Sequence, residues 1–128
     1  DSMDGADLSR TILGSDAAGP ARDALLVEYV GAGTVVRYGH AEDATNNTFR
    51  ALRILNSTHD LKYVEFTSSE ANWNWTAPAD EHELFDLATD PYEMANLYAT
   101  ADVGTKAKLN ADLDRLYRCR GQADCGNA

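Results

Sequence analysis

The chain has 128 residues, enough for one compact domain built on one core. With 44% hydrophobic and 25% charged residues it reads as soluble and globular, and no apolar run is long enough to cross a bilayer. Eleven basic residues against 21 acidic ones give a net charge of −10, which argues against nucleic-acid binding, because a phosphate backbone needs clustered Lys and Arg.

The opening Asp1-Ser2-Met3-Asp4-Gly5 has neither the basic nor the apolar region of a signal peptide, so any signal is expected upstream. Residues 1–22 read as a polar lead-in. Within it, residues 7–14 suit a short helical turn stopped at Gly14, and Gly19-Pro20 breaks the chain. Residues 24–30 form an apolar strand that carries Glu28 and stops at Gly31. Residues 31–48, with Gly31, Gly33, Gly39 and Asn46-Asn47, predict a long irregular loop, a class that is often functional.

Residues 49–55 alternate, with Phe49, Ala51 and Arg53 on one face and Arg50, Leu52 and Ile54 on the other. Residues 61–66 alternate in the same way: Leu61, Tyr63 and Glu65 share one face, Lys62, Val64 and Phe66 the other. The polar stretch 56–60 joins the two as a hairpin. Residues 68–80 carry Trp73 and Trp75, which suit either stacking on a sugar or covering the sheet edge. Residues 83–87 are a fourth strand. Asp90 then suits a helix N-cap, Pro91 the first helical position and Glu93 a capping box, so a short helical turn is expected there. A helix follows from about Thr105 to Arg118. It has Leu109, Leu113, Leu116 and Tyr117 on a packing stripe and Lys106, Lys108, Asp112 and Asp114 facing water. The expectation is an α+β fold: a small antiparallel sheet of about four strands with a C-terminal helix packed on one face. Its sheet edges would stay exposed unless something larger covers them.

Three Asn-x-Ser/Thr sequons, at Asn46, Asn56 and Asn74, are possible glycan acceptors and point to a secretory route. Cys119 and Cys125 bracket Arg-Gly-Gln-Ala-Asp, which suits a small disulfide loop, the alternative being two unpaired thiols. No second Cys or His pair completes a zinc set. His40, His59 and His82 lie in three separate segments and read as surface or turn residues. No phosphate loop, His-Glu-x-x-His helix or Gly-x-Ser-x-Gly elbow occurs, and no catalytic carboxylate pair stands out.

The stretch Leu84-Phe85-Asp86-Leu87-Ala88-Thr89-Asp90-Pro91-Tyr92-Glu93-Met94-Ala95-Asn96-Leu97 resembles the motif near the C-terminus of sulfatases, in which a strand ending in aromatic-Asp-Leu leads to Asp-Pro, Glu and Asn-Leu. Further segments are similar to N-acetylglucosamine-6-sulfatases and extracellular heparan endosulfatases: Asp4-Gly5-Ala6-Asp7-Leu8, Leu26-Val27-Glu28-Tyr29-Val30-Gly31-Ala32-Gly33, Asn46 to Arg53 and Leu61 to Phe66. Ala32 departs from the usual Glu. The Cys119–Cys125 pair also resembles a Cys-bounded loop of the glucosamine-6-sulfatases.

The resemblance implies the C-terminal subdomain of an enzyme that hydrolyses sulfate esters, with the 6-O-sulfate of glucosamine in glycans as the expected target. Its nucleophile would be a formylglycine made in a Cys-x-Pro/Ala-x-Arg motif beside a calcium ion, both on a large N-terminal domain. Cys119-Arg120-Gly121-Gln122-Ala123 does not fit that motif, so no catalytic or metal-binding residue is expected here. The implied layout is 1–22 as lead-in from the N-terminal domain, 23–118 as the subdomain and 119–128 as a Cys-bounded tail. The implied partners are the N-terminal domain and a sulfated glycan, and the implied location is secreted or lysosomal. Glu28, Asn47 and Arg53 are the candidates for glycan contact, by hydroxyl recognition and sulfate pairing. The alternative is a free-standing secreted module, carbohydrate-binding or structural, without catalysis.

Overall fold

The computed structural model describes residues 13–14, 23–31, 36–37, 40–41, 47–68 and 72–125. Four strands, β1 (Ala24–Tyr29), β4 (Thr48–Leu55), β5 (Asp60–Thr67) and β6 (Glu81–Asp86), form one sheet in the order β1-β4-β5-β6. Every pair is antiparallel. A helix, α1 (Val103–Arg118), lies across one face, and a five-residue turn of helix, α2 (Gly121–Cys125), follows it. This is the expected α+β arrangement. Inside the segment expected as an irregular loop, β2 (Val36–Arg37) and β3 (His40–Ala41) pair as a separate two-stranded ribbon. The lead-in apart from Leu13-Gly14, and the acceptor Asn46, lie outside the described residues.

The β4–β5 hairpin sets the register of the sheet. In its turn the Asn56 side-chain oxygen accepts hydrogen bonds from the backbone N–H groups of Thr58 and His59, both at 2.9 Å, a side-chain mimic of a backbone turn. That turn places Leu55 opposite Asp60, and from there Leu52 meets Tyr63 and Arg50 meets Glu65. Because successive residues point to opposite faces, one face gathers Leu26, Leu52, Tyr63 and Leu84 beneath the helix. Leu109 and Leu113 descend from α1 to close this core, and Leu52 and Leu113 are wholly buried. Burying each such leucine contributes about 1.5–3 kcal/mol.

The helix begins two residues before the expected start. Asp102 is its N-cap: its carboxylate accepts the Thr105 N–H at 2.9 Å and the Thr105 hydroxyl at 2.6 Å. Those bonds, the hydroxyl's first, hold the Asp102 carboxyl below its ordinary range. Leu109, Leu113, Leu116 and Tyr117 all turn inward to some degree, as the stripe predicts, whereas Asp114 does not simply face water but reaches a buried arginine.

Residues 86–97 do not form the expected helical turn. The strand stops at Asp86, and a series of tight turns follows. Glu93 adopts φ 56°, a left-handed conformation that a helix cannot contain. Its carboxylate pairs with Lys62 at 2.5 Å instead of reaching back to Asp90. Asp90 still accepts a backbone N–H, but from Ala95 at 2.8 Å, five residues on. The reason lies at the outer edge of β6. There the Asn96 side chain accepts the Leu84 N–H at 3.1 Å and donates to the His82 carbonyl at 3.1 Å, and the Leu97 N–H donates to the Leu84 carbonyl at 2.8 Å. Asn96 and Leu97 thus act as a short surrogate strand that blocks this edge. The same Asn96 oxygen accepts the Tyr98 N–H at 2.9 Å and so aims the chain toward α1.

Replacing Asn96 with Asp removes the only donor of that side chain and sets a carboxylate against the His82 carbonyl. Chemical denaturation of N96D is expected to show a loss of about 1–3 kcal/mol. Stability equal to the parent would refute the edge-blocking role.

Candidate functional site

The two faces of the sheet differ sharply. On the helix side a charged residue occupies the centre. Arg50 is 4% exposed, and its guanidinium meets Glu65 through Nε at 2.9 Å and Nη2 at 2.8 Å. Its Nη1 reaches Asp114 at 3.1 Å. The Trp75 ring covers the guanidinium at 4.7 Å and the Tyr117 ring at 5.2 Å. The other Glu65 oxygen accepts the Tyr63 hydroxyl at 2.7 Å and the Asn110 amide at 2.6 Å. Burial first, then the bond to Glu65, pushes the Tyr63 phenol far above its usual range, so Tyr63 remains a donor. Every charge in this cluster has its partners, which is the condition for burying charge at all.

The opposite face holds an apolar groove of about 300 Å³. Val27, Phe49, Ala51, Val64 and Phe66 form its floor, and Asn47, Arg53, Lys62 and Glu83 rim it. Tyr29 stacks on Phe49 at 5.7 Å, and Phe49 contacts Phe66 at the same distance. At the Asn47 end the groove runs into a polar hollow of about 540 Å³ lined by Ser68, Asp80, Glu81 and Glu83. Asp80 accepts the Ser68 N–H at 2.6 Å and its hydroxyl at 2.8 Å, and the backbone bond first, then the hydroxyl, holds its carboxyl below the ordinary range.

The three residues expected to meet a glycan are not gathered into one site. Asn47 and Arg53 share the rim of the groove. Glu28 lies in register with Arg50 and so faces the helix side. There it borders a hollow of about 320 Å³ with Tyr117, Arg120 and the two cysteines. Arg53 is already engaged: it is ion-paired with Asp60 and donates to the carbonyls of Ile54 at 2.7 Å and Leu61 at 3.1 Å.

Trp75, weighed as a sugar platform, is 6% exposed and serves Arg50 instead. Trp73 is half-buried, its carbonyl 3.3 Å from the Tyr117 hydroxyl that donates to it. His59 sits in the hairpin turn, 2.7 Å from the Thr58 hydroxyl. His82 is not a free surface residue but stacks on Tyr98 at 4.5 Å, with Tyr63 next in the row. Cys119 and Cys125 form a disulfide with their Cα atoms 5.2 Å apart, so neither is a free thiol. Among the described residues no group of three or more His, Cys, Asp or Glu is placed to hold a metal ion, and no helix is long and apolar enough to cross a membrane. The residues described here therefore do not fit a calcium ion, and the bridged cysteines do not fit a formylglycine precursor.

Comparison with known proteins finds similarity to sulfatases. The chain is 31% identical over 81 residues to a Drosophila melanogaster protein named extracellular sulfatase SULF-1 homolog. That match covers 63% of the chain and 6% of the relative. It is 31% identical over 80 residues to human N-acetylglucosamine-6-sulfatase, covering 62% of the chain and 13% of that protein. It is 34% identical over 83 residues to an arylsulfatase of Chlamydomonas reinhardtii, covering 64% and 11%. The chain is homologous to a segment of the sulfatases. No protein-family model and no solved structure matches it. The sulfatase-related chain spans 6% to 13% of the length of these three relatives.

Arg50, Asp102 and Asn110 have no role in the sequence reading, and Asn96 enters it only within the motif that resembles sulfatases. The pairing of Arg50 with Glu65 was within reach, since a turn at 56–60 places them opposite each other. The surrogate strand and the stacked tryptophan leave no local signal.

Two outcomes check the buried cluster. Replacing Arg50 with Met strands Glu65 in the interior, and denaturation should register a loss of about 3–5 kcal/mol, with the double variant R50M/E65L recovering much of it. An unchanged midpoint for R50M would show the cluster to be idle. The second concerns acid. Hydrogen bonding from Arg118 first, then from Arg50, holds the Asp114 carboxyl below its ordinary 3.8. A depressed folded-state value means the stabilisation is complete above 3.8 and fades as pH falls through the folded value. Asp114→Asn should therefore be less stable than the parent by about 1 kcal/mol near neutrality, with the gap closing in strong acid. A gap that widens in acid would reverse the assignment.

Proposed function

We propose that this chain is the C-terminal portion of a sulfatase, residues 23–118 forming the subdomain, 1–22 the lead-in and 119–128 the tail, with sulfate-ester hydrolysis carried out on an N-terminal domain of the same protein. The observation that carries the reading is the pairing of two facts. About a third of the residues agree with sulfatases over some 80 positions, and those positions are only 6% to 13% of the relatives' length. A complete, well-packed sheet and helix without a catalytic constellation among its described residues supports a role beside an active site rather than at one. The formylglycine and calcium of such an enzyme belong to the N-terminal domain.

The substrate we favour is the 6-O-sulfate of glucosamine in a glycan, supported by the match to a protein named N-acetylglucosamine-6-sulfatase. The location we favour is secreted or lysosomal. The disulfide and the sequons support it: Asn56 lies in the hairpin turn and Asn74 is exposed. Of the candidate glycan contacts, Glu28 fits best, being exposed on the strand edge beside Tyr117 and Arg120. Asn47 would meet a glycan only along the groove rim, and sulfate would have to compete with Asp60 for Arg53.

The full-length protein should release inorganic sulfate from 6-O-sulfated glucosamine, and Glu28→Gln should raise KM about 3–10-fold with little change in kcat. Failure to release sulfate from either this sugar or an aryl sulfate would remove the reading, and unchanged KM in E28Q would remove Glu28 from the glycan site.

A further inference from the structure

Most of the Lys and Arg side chains among the described residues are matched by a carboxylate. Arg50 has Glu65 and Asp114, Arg53 has Asp60, and Lys62 has Glu93. Lys108 and Arg115 share Asp112, and Arg118 has Asp114. Lys106 lies over the Tyr98 ring at 4.8 Å. Arg120 is different: it borders the hollow of about 320 Å³ between β1 and the disulfide loop, and among the described residues its guanidinium meets no acid. Asp124, the acid nearest to it in sequence, is engaged by the Arg120 backbone N–H at 2.8 Å. Glu28 lines the same hollow, and no ion pair joins it to Arg120.

The guanidinium is nevertheless held in place. Its Nη1 donates to the Cys119 carbonyl at 2.8 Å and the Tyr117 carbonyl at 3.4 Å, at the end of α1, where helix carbonyls lack partners. The Cys119–Cys125 disulfide closes the short loop that carries it. Nε and Nη2 have no acceptor among the described residues. Together they form the edge of a guanidinium that grips a carboxylate or sulfate through two parallel hydrogen bonds. We propose that Arg120 binds an oxyanion, carboxylate or sulfate, on the sugar next to the sulfated glucosamine, an inference that rests on the sulfatase reading above.

The hollow's chemistry selects this ligand. An acid and a base that line one hollow without meeting each other suit a molecule with both hydrogen-bond donors and a negative charge. An acidic sugar has both: its hydroxyls donate to Glu28, and its oxyanion accepts from Arg120. Leu26 and Leu116 offer an apolar wall to the C–H groups of the ring. The volume lies at the lower end of the range of small-ligand sites, about 300–1,000 Å³. A metal cation is disfavoured by Arg120, and a bare anion by Glu28. In a chain of net charge −10 the overall field repels a polyanion, so recognition has to come from a local, oriented cation. Because the carbonyls and the disulfide already fix Arg120, little side-chain entropy is lost when it binds.

The test measures calorimetric affinity of the full-length protein for three disaccharides of N-acetylglucosamine without its 6-sulfate. The neighbouring sugar is a uronic acid, an O-sulfated hexose or a neutral hexose. Arg120→Gln is expected to weaken binding about 10-fold for the uronic acid, the O-sulfated hexose or both, and less than about twofold for the neutral partner. Lys108→Gln, a paired cation on the exterior of α1, should leave all three affinities unchanged. Equal affinities in R120Q and the parent overturn the proposal. So does an equal loss for all three sugars, or the same loss in K108Q, since either would mean a structural or a general charge effect. Sulfate release from 6-O-sulfated glucosamine by the same samples reports separately on the hydrolase reading. Release with binding that ignores Arg120 sinks the oxyanion site alone, and Arg120-dependent binding without release sinks the hydrolase reading alone.

Discussion

Arg50 is the constraint around which the rest of this fold is arranged. A cation in the middle of the central strand, under a helix, is stable only if its charge and all its N–H groups are met. Three elements meet it: β5 through Glu65, α1 through Asp114 and Tyr117, and the β5–β6 connection through Trp75. Each of these has its own position narrowed by that demand. Glu65 is further held by Tyr63 and Asn110, which ties the sheet to the helix a second time. Trp75 reaches the guanidinium with φ 55°, a conformation that a bulky residue adopts only where its surroundings insist. The connection is braced for it by Asn72, whose buried side chain accepts the Ala77 N–H at 2.7 Å and donates to the Ala77 carbonyl at 3.2 Å.

The second organising problem is the sheet edge. A four-stranded sheet has two, and each presents unpaired backbone groups. At β6 the chain solves this locally, with one amide side chain and one backbone N–H. This gives the Asp-Pro-to-Asn-Leu stretch a physical meaning: Asp90 and Glu93 shape the turns, and Asn96 and Leu97 are delivered to the edge. The residues that make the segment resemble sulfatases are therefore structural in this chain. They guide the path between sheet and helix.

Function follows from the asymmetry of the two faces. The helix side is closed, charged outside and bears a sequon; the other side is apolar and open. The chain matches 6% to 13% of the length of three sulfatase relatives. The disulfide adds to the same picture by pinning the end of α1 to α2, beside the hollow that Glu28 borders.

The alternation of residues 49–55 and 61–66 determined which side chains share a face, because a strand has a period of two and a short polar turn leaves one register. The leucine stripe determined the face that α1 buries, and a separation of six residues allowed the disulfide to close. What sequence could not decide was every case in which a local preference met a distant demand. Asp90, Pro91 and Glu93 spell a helix start, a preference worth about 1 kcal/mol, yet the unpaired edge of β6 outweighs it and draws the segment into turns. Asp114 reads as solvent-facing, and Trp75 as a sugar platform or a cover for the sheet edge, until Arg50, 64 and 25 residues away in the chain, claims them. Those choices depend on which residues meet across the fold, and only the packed chain brings them together.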